Sequence, residues 1–206
     1  AYTATHENEV ALFTSSWKDR PAAGLGHELN ARVVDRRAPV GMLNYLWHRL
    51  EWPPVELLAG PADVVHGQHP LLIPTCRAAQ VITIHDLFFL SAPERTRAEI
   101  RRDYAALVPS HARRADAIVV SSEYTAGLVR TQLGVSADRI HVCPAGAPRW
   151  TPRPQRRGRD DEGYVLFLGT LEPRKNIGTL LDAYGMLLDR GVRPPPLVLA
   201  GRTTPE

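Results

Sequence analysis

Apolar residues gather in short β-branched runs separated by longer stretches with helical spacing. Val10 to Ser15, Asp63 to His66, Val81 to His85, Ala117 to Ser121 and Ile140 to Cys143 are five such runs. Runs nearly continuous in Val, Ile and Leu are typical of strands covered on both faces of a parallel sheet. The intervals between them are long enough for helices, so the pattern is the βα alternation of an α/β fold. One helix is predicted from about Glu94 to Arg114. A second is predicted from Glu123 to Leu133, capped by Ser121 or Ser122 and closed by Gly134. Residues 17–60 are less regular: Pro21, Gly24 and Gly26 suggest a loop, and Met42 to Leu50 reads as a helix that Pro53-Pro54 breaks.

From Pro148 to Glu162 the pattern gives way to prolines at 148, 152 and 154, arginines at 149, 153, 156, 157 and 159, and then three acids. That composition predicts an exposed linker. Beyond it a new βαβ unit starts. Tyr164 to Leu168 is a strand. Ile177, Leu180, Leu181, Tyr184, Leu187 and Leu188 mark a helix that Asn176 caps and Gly191 ends, and Leu197 to Ala200 is a second strand. The predicted organisation is therefore a domain over 1–147, a linker over 148–162 and the start of a second domain over 163–206. These last 44 residues fall short of the roughly 100–150 usual for an α/β domain, so the second domain is expected to be incomplete and the chain inactive by itself. The first residue is Ala, not Met, and the start is expected to be a truncation as well.

Chemistry enters at Gly169 to Asn176, Gly-Thr-Leu-Glu-Pro-Arg-Lys-Asn, where two permanent cations stand between a strand and a helix start. Free backbone N–H groups and the helix dipole favour a negative ligand there, and Arg174 beside Lys175 strengthens the preference. An ordinary solvated basic loop is the alternative. Lys18 and Lys175 are the only lysines among 25 basic residues, which sets Lys175 apart.

Composition narrows the classes. With 44% hydrophobic and 23% charged residues the chain is an ordinary globular sequence, with no apolar run near the roughly 20 residues of a membrane span and no signal peptide. The two cysteines, Cys76 and Cys143, have no metal-ligand spacing and fit a reducing, cytoplasmic compartment. A net charge of +3 without a basic, aromatic-interleaved stripe argues against nucleic acid. No Gly-x-Ser-x-Gly nucleophile elbow occurs, no complete Gly-x-Gly-x-x-Gly follows a strand, and no Walker loop is present.

Ligands of doubly wound sheets bind beyond the carboxyl ends of the strands. Here those ends are polar: Ser15-Ser16, His66-Gly67-Gln68, His85-Asp86, Ser121-Ser122-Glu123 and Pro144-Ala145-Gly146. His85 and Asp86 are neighbours, so within a strand they point to opposite faces and cannot form a His–Asp pair without an intervening turn.

Taken together, Val81-Ile-Thr-Ile-His-Asp-Leu-Phe-Phe-Leu with Pro93-Glu94, Ala117-Ile-Val-Val-Ser-Ser-Glu, Ile140-His-Val-Cys-Pro-Ala-Gly and Gly169-Thr-Leu-Glu-Pro-Arg-Lys-Asn resemble a GT-B glycosyltransferase of the family 4 type, over about Asp63 to Gly201. The resemblance implies two Rossmann-like domains with parallel sheets, the first holding the acceptor and the second the nucleotide-sugar. It implies retaining transfer of a hexose from a GDP- or UDP-sugar to a glycan or lipid-linked acceptor in cell-surface polysaccharide synthesis, with no metal and no cofactor.

Carried over, Arg174 and Lys175 grip the donor diphosphate. Gly146, Gly169 and Asn176 join them at the donor, and His85 meets the sugar by its ring or its carbonyl. His66, Asp86, Ser122 and Glu123 are acceptor-side candidates. Phe88-Phe89 and Pro93-Glu94 lean towards mannose. The arginines at 95, 97, 101, 102, 113 and 114 are either a solvated helix face or a peripheral contact with the inner membrane face.

Three departures from the family pattern stand out. Its first strand and glycine-rich loop are expected before residue 1, and its Glu-x7-Glu motif after Glu206. Ala145 stands where Asn is usual. A sugar-nucleotide epimerase and a noncatalytic nucleotide-binding module remain the alternatives.

Overall fold

A computed structural model describes residues 8–15, 20–96, 98–146, 151 and 163–202, without side-chain placement for residues 95, 98–102 and 174. Two compact units divide at Ala147/Pro148. All but one residue of the stretch predicted as a linker, 148–162, lies outside the described residues.

The first unit is built on a parallel four-stranded sheet of β3 (Val64–Gly67), β4 (Ala79–Ile84), β5 (Ala117–Val120) and β6 (Ile140–Val142), in the spatial order β3-β4-β5-β6. β4 is its most buried strand: Ile82, Thr83 and Ile84 are all buried. Consecutive buried residues point to opposite faces, so both faces of the sheet are covered. Helices α5 (Ala98–Arg114) and α6 (Glu123–Leu133) pack Val108, Ala112, Val129 and Leu133 into one core with Ile82, Ile84, Ile118 and Val120. Arg139 donates to the carbonyls of Arg113 at 2.8 Å and Ala115 at 3.0 Å, a cation placed where the last helical carbonyls lack partners.

Three local expectations are corrected. The five runs do not share one sheet: β1 (Ala11–Thr14) pairs instead with β2 (Arg32–Asp35), a strand too short, with only Val33 and Val34 apolar, to show a period. The expected loop at Gly24 to Gly26 contains a short helix, α1 (Leu25–Leu29), ended by Asn30 in the left-handed region. There a Cβ on Gly26 would lie 2.7 Å from the Ala31 carbonyl oxygen, so that glycine serves a tight helix-to-strand turn rather than a phosphate. And the helix expected from Glu94 begins only at Ala98, because Thr96 is extended (φ −109°, ψ 158°) after a single 3-10 turn, Pro93–Arg95.

The helix expected over Met42–Leu50 forms as α2 (Val40–Tyr45) running into a π turn, Leu46–Leu50. α3 (Glu56–Ala59) follows, and Glu56 Oε1 accepts the N–H groups of Cys76, Arg77 and Ala78 at 2.9–3.3 Å, holding the approach to β4. α4 (Phe88–Ser91) leads out of the loop after β4.

Among the buried polar side chains is His111 on α5. Its Nδ1 accepts the Leu72 N–H at 2.9 Å, which requires an unprotonated Nδ1. Burial, then the nearby Arg114 charge, lowers its pKa to about 4. The unfolded chain, with histidine near 6.5, takes up the proton first, so this contribution is complete above about pH 6.5 and is lost as pH falls through about 4. We expect an acid destabilisation on the order of 2 kcal/mol from this group. Burial also lowers the pKa of His48, His66 and His69 and adds to the same trend. Melting curves at pH 7 and pH 4.5 check it: His111→Asn, whose amide oxygen accepts without titrating, should flatten the dependence, and an unchanged slope counts against the assignment.

The second unit holds β7 (Val165–Leu168) and β8 (Leu197–Ala200), paired in parallel through α7 (Ile177–Asp189).

Candidate functional site

In the first unit the polar residues beyond β4 and β5 form one cluster. β4 ends at Ile84, beside Val120 of β5, so His85 and Ser121 leave the sheet together. The His85 carbonyl accepts from the Thr125 hydroxyl at 3.3 Å and, at the 3.5 Å limit, from the Ser121 hydroxyl. That carbonyl is thus committed to the β5–α6 turn, while the His85 ring is exposed. The imidazole is the chemically available part of this residue.

Asp86 is exposed, and its Oδ1 accepts the Phe88 N–H at 3.0 Å. This is a turn built by a side chain that imitates backbone, and it starts α4. The residue pair therefore separates as expected, His85 to solvent and Asp86 to the local chain.

Of the two serines offered as caps, Ser122 is the one used. It is extended (φ −157°, ψ 157°), and its Oγ accepts the Thr125 N–H at 3.2 Å, satisfying one donor of the first helical turn. Both Ser122 and Asp86 thus carry structural bonds as well. Glu123 is exposed in the first turn of α6, where the helix dipole favours its charge. Thr125, buried and bonded both to the Ser122 hydroxyl and to the His85 carbonyl, was not singled out from the sequence. A Ser-x-x-Thr pattern at a helix start was the signal available.

His66 does not join this cluster. The register sets it beside Val81, four residues before His85 and so about 13 Å back along the sheet at 3.3 Å per residue. Its Nε2 instead lies 2.8 Å from the Thr83 hydroxyl, and desolvation lowers its pKa, holding the ring neutral at pH 7. Residues 144–146 after β6 are exposed, and nothing lies within 4 Å of a Cβ built on Gly146. Open space there leaves the backbone accessible, as a close ligand approach requires.

The arginines of α5 divide. Arg114 forms a two-pronged pair with Glu51, at 2.5 and 2.8 Å, and so is tied to the protein rather than presented to a surface. The side chains at 95, 97, 101 and 102 lie outside the described residues. Among the described residues no helix is long and apolar enough to cross a membrane.

In the second unit, the loop from Gly169 passes through a 3-10 turn, Pro173–Lys175, into α7. Lys175 N–H donates to Glu172 at 2.9 Å and Asn176 N–H to Pro173 at 3.1 Å, which folds the loop tightly and leaves Lys175 exposed. The Arg174 side chain lies outside the description. Asn176 stands at the cap position in the left-handed region (φ 53°, ψ 40°), but its side chain accepts the Thr179 hydroxyl at 2.9 Å and makes no hydrogen bond to backbone. The expected side-chain cap is therefore corrected. Asn176 turns the chain, and the first N–H groups of α7 are left without a side-chain oxygen from it, at the point where an anion would meet them.

At the base of this loop the two strand ends touch. Gly169 N–H donates to Ala200 and Leu171 N–H to Arg202, both at 2.9 Å. Between these bonds a Cβ on Gly201 would overlap the Gly169 carbonyl. Glycine at 201 is required for β7 and β8 to approach so closely.

The arrangement offers one exposed imidazole beyond a parallel sheet in the first unit and an exposed cation at a bare helix start in the second. Comparison with known proteins supplies the class. Over 74 residues the chain is 40% identical to O-antigen chain mannosyltransferase B of Escherichia coli, a stretch that is 36% of this chain and 19% of that protein. The profile of Glycosyltransferase Family 4 matches residues 2–148, the whole of the α/β first unit with its parallel strands, and the chain belongs to that family.

Proposed function

We propose that this chain is part of a retaining glycosyltransferase that transfers a hexose, with mannose as the sugar, from a GDP- or UDP-linked donor to a glycan or lipid-linked acceptor in polysaccharide synthesis. The observation that carries the proposal is the Pro173–Lys175 turn, which brings an exposed lysine to the uncapped start of α7 in a chain of this family. That the Escherichia coli relative is a mannosyltransferase supports mannose.

In this reading Arg174, Lys175 and the N–H groups of α7 hold the donor diphosphate, with Gly169 and Asn176 shaping the loop. As the glycosidic bond breaks, negative charge grows on the departing diphosphate, and fixed cations placed there lower the barrier. A metal ion would supply the same stabilisation elsewhere, so none is needed. The His85 ring hydrogen-bonds a hydroxyl of the sugar. The acceptor hydroxyl attacks from the face the diphosphate leaves, and a diphosphate oxygen takes its proton. Gly146 admits the donor against backbone, and Glu123 and His66 are left for the acceptor side. The enzyme works in the cytoplasm, at the inner membrane face when its acceptor is lipid-linked.

A panel of GDP- and UDP-hexoses titrated against the complete protein tests the reading. A GDP- or UDP-mannose should bind most tightly and give a product whose anomeric configuration matches the donor by NMR. Preference for another hexose would overturn the sugar, inversion the mechanism, and absence of nucleotide binding the function.

A further inference from the structure

Tyr124, in the first turn of α6, is 76% exposed, more than any other large hydrophobic side chain among the described residues. A single surface aromatic is ordinary and needs no explanation. This one is held in a fixed place and kept bare, and both facts ask for a cause.

The place is fixed from both sides. Ser122 caps the helix through the Thr125 N–H, and the Thr125 hydroxyl donates to the His85 carbonyl at 3.3 Å. Tyr124 lies between these anchors in sequence. Helical side chains lean towards the amino end, so a side chain in this first turn leans to the carboxyl ends of β4 and β5, where the exposed His85 ring stands. Ligands of doubly wound sheets bind beyond those ends.

The bareness traces to Gly127. On a helix surface the neighbours of residue 124 in the next turn are 127 and 128. Leu128 packs against the core, so 127 is the position from which a longer side chain would lean back over the ring. It is glycine, the poorest helix former after proline, inside an 11-residue helix. No packing requires it there, because a Cβ on Gly127 would meet nothing within 4 Å. Among the described residues Tyr124 has neither a hydrogen-bond partner nor an aromatic neighbour. The fold gives no reason for that glycine, whereas an occupant of the space over Tyr124 does.

We propose that Tyr124 is a stacking platform for a sugar of the acceptor, so that the acceptor is a glycan already carrying at least one hexose and not a bare lipid phosphate; this rests on the glycosyl-transfer reading. A pyranose presents C–H groups on one face, and the electron-rich face of a phenol ring attracts them. Its edge presents hydroxyls, and the exposed carboxylates of Asp86 and Glu123, at the ends of neighbouring strands, have acceptor capacity for them. The same two carboxylates repel a phosphate. A purely apolar partner would strip them of water without returning hydrogen bonds. A sugar satisfies ring and acids together.

The test uses the complete protein without donor, titrated with methyl glycosides of mono- and disaccharides of mannose, glucose, galactose and N-acetylglucosamine. Saturation transfer from the aromatic protons is read by NMR, and at least one glycoside should receive it through its ring C–H groups. Tyr124→Ala should weaken that binding about tenfold, the size of a lost aromatic stacking contact, and raise the acceptor KM by as much while kcat changes less. Nucleoside-diphosphate affinity and melting temperature should stay as they were. Tyr124→Phe, which keeps the ring, should bind nearly as the wild type does. Gly127→Gln should stabilise α6 yet weaken glycoside binding as Tyr124→Ala does, a combination that a merely structural role cannot give.

Binding of none of these glycosides overturns the proposal, as does unchanged affinity in Tyr124→Ala or in Gly127→Gln. An equal loss on a polyprenyl phosphate that carries no sugar overturns the choice of ligand. Nucleotide affinity separates the two readings. If the wild-type protein binds no nucleoside diphosphate, the transfer reading falls, whereas nucleotide binding without glycoside binding removes the platform alone.

Discussion

Replacing Arg174 and Lys175 together by alanine in the complete protein is expected to weaken nucleoside-diphosphate binding by about 100-fold or more. A hydrogen bond to a charged group contributes roughly 1.5–3 kcal/mol, and two of them account for about 3–6 kcal/mol, or two to four powers of ten. The single Lys175→Ala change should cost about half of this in free energy. Because Lys175 is exposed at the turn before α7, removing it leaves no buried group unpaired, and the fold should melt as before. Titration calorimetry with the nucleoside diphosphate alone, at low and high salt, measures the effect. The wild-type affinity should fall with salt while that of the double variant hardly changes. Equal affinities in the two proteins would remove the loop from the donor site.

Gly201→Ala should disable the second unit by another route. The added methyl overlaps the Gly169 carbonyl, which is backbone held by the bonds from Gly169 to Ala200 and from Leu171 to Arg202. No side chain can rotate away to relieve it. Overpacking of this kind costs about 1–3 kcal/mol, sometimes more, and here it falls on a pair of four-residue strands. The expected result is early melting of residues 163–202 and at least tenfold weaker nucleotide binding, because the displaced carbonyl begins the loop that carries Lys175. Gly178→Ala, in the first turn of α7 with nothing within 4 Å of the new methyl, is the matched control. It should raise stability by about 0.4–1 kcal/mol. If both variants behaved alike, the close approach of β7 and β8 would not be the reason for glycine at 201.

The two variants bear on a loop whose elements were legible beforehand. Tyr164 to Leu168, the periodic run after Asn176 and Leu197 to Ala200 form the strand, helix and strand expected of them. Each is long enough, or uniform enough, for its period to be read. β2 and α1 were not: β2, Arg-Val-Val-Asp, has only two apolar residues, and α1, Leu-Gly-His-Glu-Leu, is interrupted by a glycine, so neither offers a uniform run or a readable period.

The candidate site separates in the same way. Ser122 was offered as a cap and is one, since capping is decided within three residues. His66 and His85 were grouped as strand-end histidines, yet they lie four register positions apart. Register depends on partners dozens of residues away. Asp86, offered as an acceptor contact, also accepts the Phe88 N–H through Oδ1, a local turn bond the sequence did not single out. Thr125 went unnoticed because its part in holding the His85 carbonyl crosses 40 residues of chain.

By itself, the order of apolar runs, caps and glycines determined an α/β chain with parallel strands and placed a basic loop between a strand and a helix, because those features follow from local periodicity and backbone geometry. Only the tertiary structure decided which strands pair, that β1 and β2 stand apart from the main sheet, and that His66 is withdrawn from His85. It alone also showed that Gly201 lies against Gly169. Those outcomes depend on contacts between residues far apart in sequence, where packing and hydrogen-bond register, not the identity of neighbours, set the position of each group.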